Sequence, residues 1–265
     1  MKTIKNLGLS ACFMTILGLA ACGQDKGSAK KDTAKISGNG FAVLELFTSE
    51  GCSSCPPADE LLAKIQKEAQ GKDIYVLAYH VDYWDRLGWK DIFSSANYSK
   101  RQQQYGSWFN SSQIYTPQLI VNGKAEFVGS DEAAIRNAIS NQLTTKANIS
   151  LVLHAQPDGG KLKVHYQASN AVKGNNLLIA VVQKNAQTKV ERGENAGNTL
   201  SHVQIVRQIQ NEPLSSTGEG NSIVELPKGF DTQTWEVIGL IQDQSNGEIL
   251  GVAKADLGVG AIAKK

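Results

Sequence analysis

Residues 41–70 read FAVLELFTSEGCSSCPPADELLAKIQKEAQ, and the reading of this stretch decides the fold. Phe41 to Thr48 is a short, mostly apolar run suited to a buried strand. Ala58 to Gln70 sets Leu61, Leu62, Ile65 and Ala69 on one face at helical spacing. Asp59 and Glu60 fall in its first turn, where the helix dipole favours acids, and Gly71 stops it. Asp73 to Val81, DIYVLAYHV, is a second buried strand. The order strand, Cys-x-x-Cys, helix, strand is a βαβ unit with the cysteine pair at its first turn.

Two cysteines two residues apart serve as a redox pair, as half of a metal site, or as a structural staple. The prolines after them bear on the choice. Were the helix to begin at Cys52, Pro56 and Pro57 would each remove a backbone donor inside it. Pro56 also pushes Cys55 away from the α region. Regular helix is therefore predicted to begin near Pro56 or Pro57, where an early proline is tolerated. Cys52 to Cys55 then form a tight turn ahead of it, and helix-dipole stabilisation of a Cys52 thiolate is weaker than at a helix start.

The N-terminus indicates the compartment. Lys2 and Lys5 precede an apolar run from Leu7 to Ala21 that closes on Leu19-Ala20-Ala21-Cys22. This describes a secretory signal (1–21) rather than a membrane span, which takes about 20 apolar residues. The last four residues resemble the lipobox of bacterial lipoproteins. That resemblance implies cleavage before Cys22, lipid on Cys22, and a membrane anchor there; Gly23 leans the sorting to the outer membrane, facing the periplasm. Residues 22–40 then form a tether almost without large apolar side chains.

Lys2 and Lys5 leave with the signal, so the 27 basic side chains become 25 against 25 acidic. No charge imbalance points to nucleic acid. Of the four cysteines, Cys12 leaves with the signal and Cys22 carries lipid. In an oxidising envelope, an intramolecular disulfide must then join Cys52 and Cys55. A disulfide scaffold and a four-cysteine zinc site are both excluded.

Residues 82–115 are a polar, aromatic insertion with three of the four tryptophans, Trp84, Trp89 and Trp108. A helix is predicted from Ala96 to Tyr105, with Ser94 and Ser95 as cap candidates. Tyr115-Thr116-Pro117 leads into a strand, Asn122-Gly123 signals a hairpin turn, and Ala125 to Val128 returns. A helix opens at Ser130-Asp131 and runs to about Gln142. From residue 148 seven short strand-like runs follow without a convincing helix, which suits a β-sandwich.

Strand, CxxC, helix, strand, then Thr-Pro before a hairpin and a closing helix: this order resembles the thioredoxin superfamily. The resemblance implies an α/β thioredoxin-like domain over 41–147 and an all-β, sandwich-like domain over 148–265. It makes Pro117 a cis proline opposite the cysteines and Thr116 the residue before it, together shaping a groove for an incoming thiol chain. The segments VLELFTSEGCSSCPPADELL, YHVDYWDRLGW, YTPQ and RGENAGNTLSHVQIVR more specifically resemble a family of secreted bacterial proteins, the domain of unknown function numbered 1223. That family carries no established activity.

In a CxxC redox pair, one thiolate attacks and the second resolves the mixed disulfide. Cys52 is expected as the exposed nucleophile and Cys55 as the resolving thiol. Ser53 and Ser54 bring hydroxyls and no charge. Glu45 is an acid on an apolar strand, costly to bury without a partner or a task. Thioredoxin-like enzymes keep a buried acid as a proton relay, one position closer to the first cysteine than Glu45 stands. Glu45 is thus either that relay or a solvent-facing or paired carboxylate. His80 and Asp82 end the second strand, at the sheet edge where α/β sites form. Tyr83, Trp84 and Trp89 either line a peptide groove or pack as a lid. His154, His165 and His202 have no ligand spacing. Arg192, Glu194 and Asn195 either knit a long hairpin or face the cysteine domain.

Three readings compete. The first is a cell-envelope thiol–disulfide oxidoreductase working on protein or peptide thiols, with no cofactor. The second is a non-catalytic envelope binding module in which the CxxC is a staple. The third is a Cu(I)-binding protein using Cys52, Cys55 and His80.

Overall fold

The computed structural model describes residues 40–170 and 174–257. The expected signal peptide, the expected lipidation site Cys22 and the expected tether apart from Gly40 lie outside the described residues.

The cysteine-bearing unit forms as its sequence pattern dictates, except that Cys55 keeps right-handed helical dihedrals (φ −79°, ψ −35°) although a proline follows it. β1 (Ala42–Thr48) pairs in parallel with β2 (Ile74–His80), and α1 (Pro56–Glu68) connects them. Regular helix begins at Pro56, with prolines in its first two positions and Cys55 as the cap residue. The missing proline donors fall where a helix has no internal acceptor for them. Cys52 to Cys55 make the tight turn before it: the Cys55 amide donates to Cys52 O at 3.2 Å.

A short 3-10 turn (Asp85–Leu87) and α2 (Ala96–Trp108) occupy the aromatic insertion. Ser95 caps α2 by accepting from the Asn97 amide at 3.2 Å. β3 (Gln118–Val121) and β4 (Ala125–Val128) form the hairpin, turning at Asn122 (φ 50°) and Gly123 (φ 66°). Both residues sit in the left-handed region that a type I′ turn demands, which is why Asn-Gly marks it. α3 (Glu132–Thr144) is capped by Asp131 through the Ala134 amide at 3.0 Å.

All seven runs of the second half are strands: β5 (Leu151–Asp158), β6 (Lys161–Ala168), β7 (Asn175–Lys189), β8 (Thr199–Pro213), β9 (Glu219–Glu225), β10 (Trp235–Asp243) and β11 (Ile249–Lys254). They do not stand apart as a separate sandwich. One eight-stranded sheet runs β11-β10-β7-β8-β2-β1-β3-β4, and β5-β6-β9 form a small second sheet. The expected division at residue 147/148 thus falls on the chain but not on the sheet. The bridging contact is short, with Ala78 of β2 pairing in parallel with Ile205 of β8. A bulge between Val181 and Val182 leaves Arg207 without an opposite residue in β7. Bulges bend and twist the strand that carries them, here next to the segment of β8 that meets β2.

Alternation on the strands sorts the core into layers. Ala42, Leu44 and Leu46 face α1 and α3, packing with Leu62, Ile65, Ile135 and Ile139. Val43 and Phe47 face the other way, toward α2, and Leu178, Ala180 and Val182 of β7 continue that layer. Leu177, Ile179 and Val181 instead meet Leu153, Leu162, Val164 and Val224 of the small sheet. The mixed α/β fold is therefore one wide sheet covered on both faces. Among the described residues, no helix is long and apolar enough to cross a membrane.

Candidate functional site

Cys52 and Cys55 form a disulfide at the carboxyl end of β1, in the turn before α1. The Thr116–Pro117 peptide is cis and lies alongside. Thr116 O is 3.9 Å from Cys52 Sγ and 3.5 Å from the Ser54 hydroxyl. Gly129 makes this approach possible. A Cβ there would sit 2.9 Å from Leu46 Cδ1 and Pro117 Cβ, and 3.0 Å from Ala58 Cβ.

Cys52 is not the exposed nucleophile that was expected. Both cysteines have 0% of their surface accessible. Two segments pack on the motif. Trp84 lies over Gly51, where a Cβ would meet Trp84 Cβ at 3.3 Å, and its indole donates to Thr116 Oγ1 at 2.8 Å. From the other side comes the turn between β7 and β8. Asn195 Nδ2 donates to Glu50 O at 2.9 Å and to Cys52 O at 3.0 Å. The Ser53 amide donates to Glu194 Oε2 at 3.1 Å, and the Ser53 side chain together with this amide holds the Glu194 carboxyl below its usual range. The stretch around Glu194, Asn195 and His202 therefore faces the cysteine motif.

Glu45 is not beneath the cysteines. Alternation puts its side chain on the α2 face of the sheet, opposite α1. There Arg101 of α2 grips it with two bonds, Nε to Oε2 at 2.6 Å and Nη2 to Oε1 at 2.9 Å. Tyr105 donates a further short bond to the same carboxylate, and Gln242 of β10 accepts from Arg101 Nη1 at 3.1 Å. Burial works against the Arg101 charge, but Glu45 and its neighbours outweigh it and raise the guanidinium further above its ordinary value. The relay position is taken up as a buried structural ion pair.

The titratable groups near the disulfide are others. Glu50 precedes the motif and Asp59 lies one helical turn beyond Cys55, so both flank it. Asp59 accepts from the Thr48 hydroxyl at 3.2 Å and its Oδ2 is 3.8 Å from His202 Nδ1. Burial pushes the Asp59 carboxyl up to about 7, against the pull of His202 and Thr48. His202 Nε2 is 3.5 Å from Glu50 Oε1, and Trp89 donates to Glu50 Oε2 at 2.7 Å. His80 Nδ1 donates to Asp91 Oδ2 at 2.6 Å. Asp91 also accepts from the amides of Glu50 and Phe93. Burial pushes the Asp91 carboxyl upward, but His80 and these amides more than offset it and leave it below its ordinary value.

Glu50, Asp59, His80, Asp91 and His202 are all buried. Glu50 Oε1, His80 Nε2 and both ring nitrogens of His202 have no hydrogen-bond partner. Buried unpaired polar atoms are uncommon and point to a task beyond packing. The cluster can store a proton close to a disulfide without exposing it to solvent.

Sequence reasoning placed Cys52, Cys55, Thr116 and Pro117 together, and they do meet. It missed Glu50 and Asp59, reading Asp59 only as a dipole-favoured acid in the first turn of α1. The one available signal was their position, flanking the motif on either side. His80, offered as a third copper ligand, bonds to Asp91 instead. Among the described residues, no group of three or more His, Cys, Asp or Glu is arranged to hold a metal. His154 and His165 lie at the surface of the small sheet, near Asp256 and Glu219.

No protein of curated function matches the chain. Among solved structures, protein AGR_C_4864 from Agrobacterium tumefaciens is similar, with 26% identity and a TM-score of 0.63 over 84% of this chain and 97% of that one. A domain of the outer membrane lipoprotein Omp28 from Porphyromonas gingivalis aligns over 42% of this chain and 89% of that one, at 12% identity and a TM-score of 0.25. A β-glucuronidase from Ruminococcus gnavus aligns over 43% and 16%, at 12% identity and a TM-score of 0.23. Scores this low carry nothing about fold or function. The family model described as "Protein of unknown function (DUF1223)" matches residues 43–242, and the chain belongs to that family.

Proposed function

We propose that the protein is a thiol–disulfide oxidoreductase of the bacterial cell envelope, held by lipid at Cys22 to the outer membrane and acting on protein or peptide thiols. One observation carries this reading: Thr116 O lies 3.9 Å from Cys52 Sγ of the disulfide, and Glu50 and Asp59, which flank the cysteines along the chain, belong to a buried cluster of five titratable side chains. A staple needs neither. The order β1-α1-β2, then β3-β4-α3, with the cysteines ahead of α1 and the cis proline ahead of β3, supports a thioredoxin-like first half.

The reaction is an exchange of two electrons and two protons. A partner thiolate attacks Cys52 Sγ, the Cys52–Cys55 bond breaks, and its electron pair leaves on Cys55 Sγ, which takes a proton. A second partner thiolate then attacks the mixed disulfide at the partner's sulfur. That releases Cys52 as a thiolate and leaves the partner oxidised. Run backwards, the same steps reduce a partner disulfide to thiols and re-form the Cys52–Cys55 bond. The buried Asp59 carboxyl, pushed up to about 7 by burial, is suited to supply the proton that Cys55 takes up.

A second reading has its own observation. With 0% accessibility at both cysteines, the disulfide has the burial of a staple in a binding module. Two measurements separate the readings: the reduction potential of the pair, and capture of partners on Cys52 in a Cys55→Ala variant. Mixed disulfides on Cys52 and a potential well above about −300 mV support the enzyme. No captured partner, with a potential below that range, leaves the staple.

A further inference from the structure

The turn between β7 and β8 makes contacts with the cysteine motif that a fold-stabilising hairpin does not need. Asn195 is 4% exposed and spends its amide on two backbone carbonyls, Glu50 O and Cys52 O. Glu194 lies at the surface, yet its carboxylate reaches the Ser53 amide. Gly193, with φ at 80°, lets the turn lie against Trp89; a Cβ there would stand 3.3 Å from Trp89 Cβ. The turn itself is braced, with Gly197 N donating to Val190 O at 2.8 Å and Val190 N to Asn198 O at 2.9 Å. It is a preformed piece seated on the motif, 143 positions along the chain from Cys52 at the Asn195 contact.

Two consequences follow from where these atoms sit. Attack on a disulfide needs the thiolate in line with the S–S bond, and Cys52 has no accessible surface. The turn ties the Glu50 and Cys52 carbonyls and the Ser53 amide, so it restrains the backbone movement that would bring the Cys52 sulfur to the surface. The Ser53 N–H is also the next backbone donor after Cys52, placed to serve a nascent Cys52 thiolate. Glu194 occupies that donor and adds a like charge beside it, which disfavours the thiolate.

We infer that Glu194 and Asn195 form a cap that sets the reactivity of Cys52 and selects its partners. Lifting the cap leaves two carbonyl acceptors, Glu50 O and Cys52 O, and one donor, Ser53 N–H. A polypeptide strand supplies matching groups, whereas a small thiol such as glutathione supplies few. The cap therefore favours thiols carried on extended peptide over free small thiols. This use of the cap rests on the oxidoreductase reading, but its effect on a chemical reductant does not.

The test is the second-order rate of reduction of the folded, oxidised protein by dithiothreitol, followed by release of Cys52 and Cys55 as thiols. Asn195→Ala is expected to raise it by about tenfold or more, because the open fraction multiplies the rate. Glu194→Gln is expected to raise it by a smaller factor, and also to lower the pH at which reduced Cys52 becomes alkylated. Amide exchange of Ser53 in the wild-type protein provides a check that needs no variant: its N–H is expected to be protected, by the factor that limits reduction. Rates within about twofold of wild type in both folded variants, or a Ser53 amide exchanging as in an open chain, overturn the cap. If the variants are faster toward dithiothreitol while no peptide or protein thiol exchanges with either form, the cap stands and the oxidoreductase reading falls.

Discussion

His80 of β2 and His202 of β8 meet edge to face, ring centroids 4.7 Å apart, where the two halves of the chain share one sheet. Phe93 closes the group, with its ring 5.2 Å from His80 and 5.7 Å from His202. His202 thereby reaches Asp59 and Glu50, so strands from the second half complete the surroundings of the disulfide.

Asp59 gives the stability a pH signature. Its carboxyl is pushed up to about 7 by burial, from an ordinary value of 3.8, with His202, Thr48, Asp91 and Glu50 around it. Between those values the folded chain holds a proton that the unfolded chain has released. Stability therefore falls as pH rises through that window, and the full loss is present above it. Asp59→Asn removes this contribution. Urea unfolding at a series of pH values should show a flatter profile for the variant from about pH 4 to about pH 7, and a relative gain near pH 8. A variant profile parallel to that of the wild type would assign the effect elsewhere.

The Glu45–Arg101 pair is structural, with side chains 1% and 4% exposed. Glu45→Gln or Arg101→Met each leaves a buried charge without its partner, at about 3–5 kcal/mol. The double variant Glu45→Leu with Arg101→Met should lose less than the sum. The reduction potential of Cys52–Cys55 should not move in Glu45→Gln, since the carboxylate lies on the opposite face from α1. A large shift would restore Glu45 as the relay.

The disulfide closes a very short loop, so the stability it adds is small. Chain-entropy arguments give about 2 kcal/mol for a ring of this size, against nearly 5 for a ring of about 100 residues. The double variant Cys52→Ser/Cys55→Ser should remain folded by circular dichroism, with its denaturation midpoint lowered accordingly. A domain that unfolds on reduction could not cycle, and such a result would favour the staple.

Gly129 holds the cis-proline segment against α1. Gly129→Ala forces Leu46, Pro117 and Ala58 apart, since the added carbon would lie within 3.0 Å of all three. Overpacking of this kind costs roughly 1–3 kcal/mol. Because Pro117 is one of the displaced groups, reduction of Cys52–Cys55 by dithiothreitol should also change in rate. Gly159→Ala, at a position with open space around it but φ at 55°, should lose stability without that change.

How much of this was legible beforehand varies by residue. Pro56 and Pro57 dictated where α1 begins, because a missing N–H and a fixed φ act within one turn. Asn122-Gly123 specified a hairpin, and apolar alternation marked the seven strands after residue 148, for equally local reasons. Thr116-Pro117 was placed beside the cysteines only through the resemblance to the thioredoxin superfamily. Glu45 stayed open between a relay and a paired carboxylate because its partner, Arg101, is 56 residues away on a helix whose packing face is not written into β1.

The sequence by itself thus determined the secondary structure, the turn that carries the cysteine pair, and the family. Only the tertiary structure decided that β8 joins β2 in one sheet, that Asp59 and Glu50 are buried with His202, and that Asn195 binds the Cys52 carbonyl. Each of those outcomes depends on side chains brought together from distant positions. Local propensity and periodicity act within a few residues and carry no record of such pairings, which burial and hydrogen bonding settle only when the layers close.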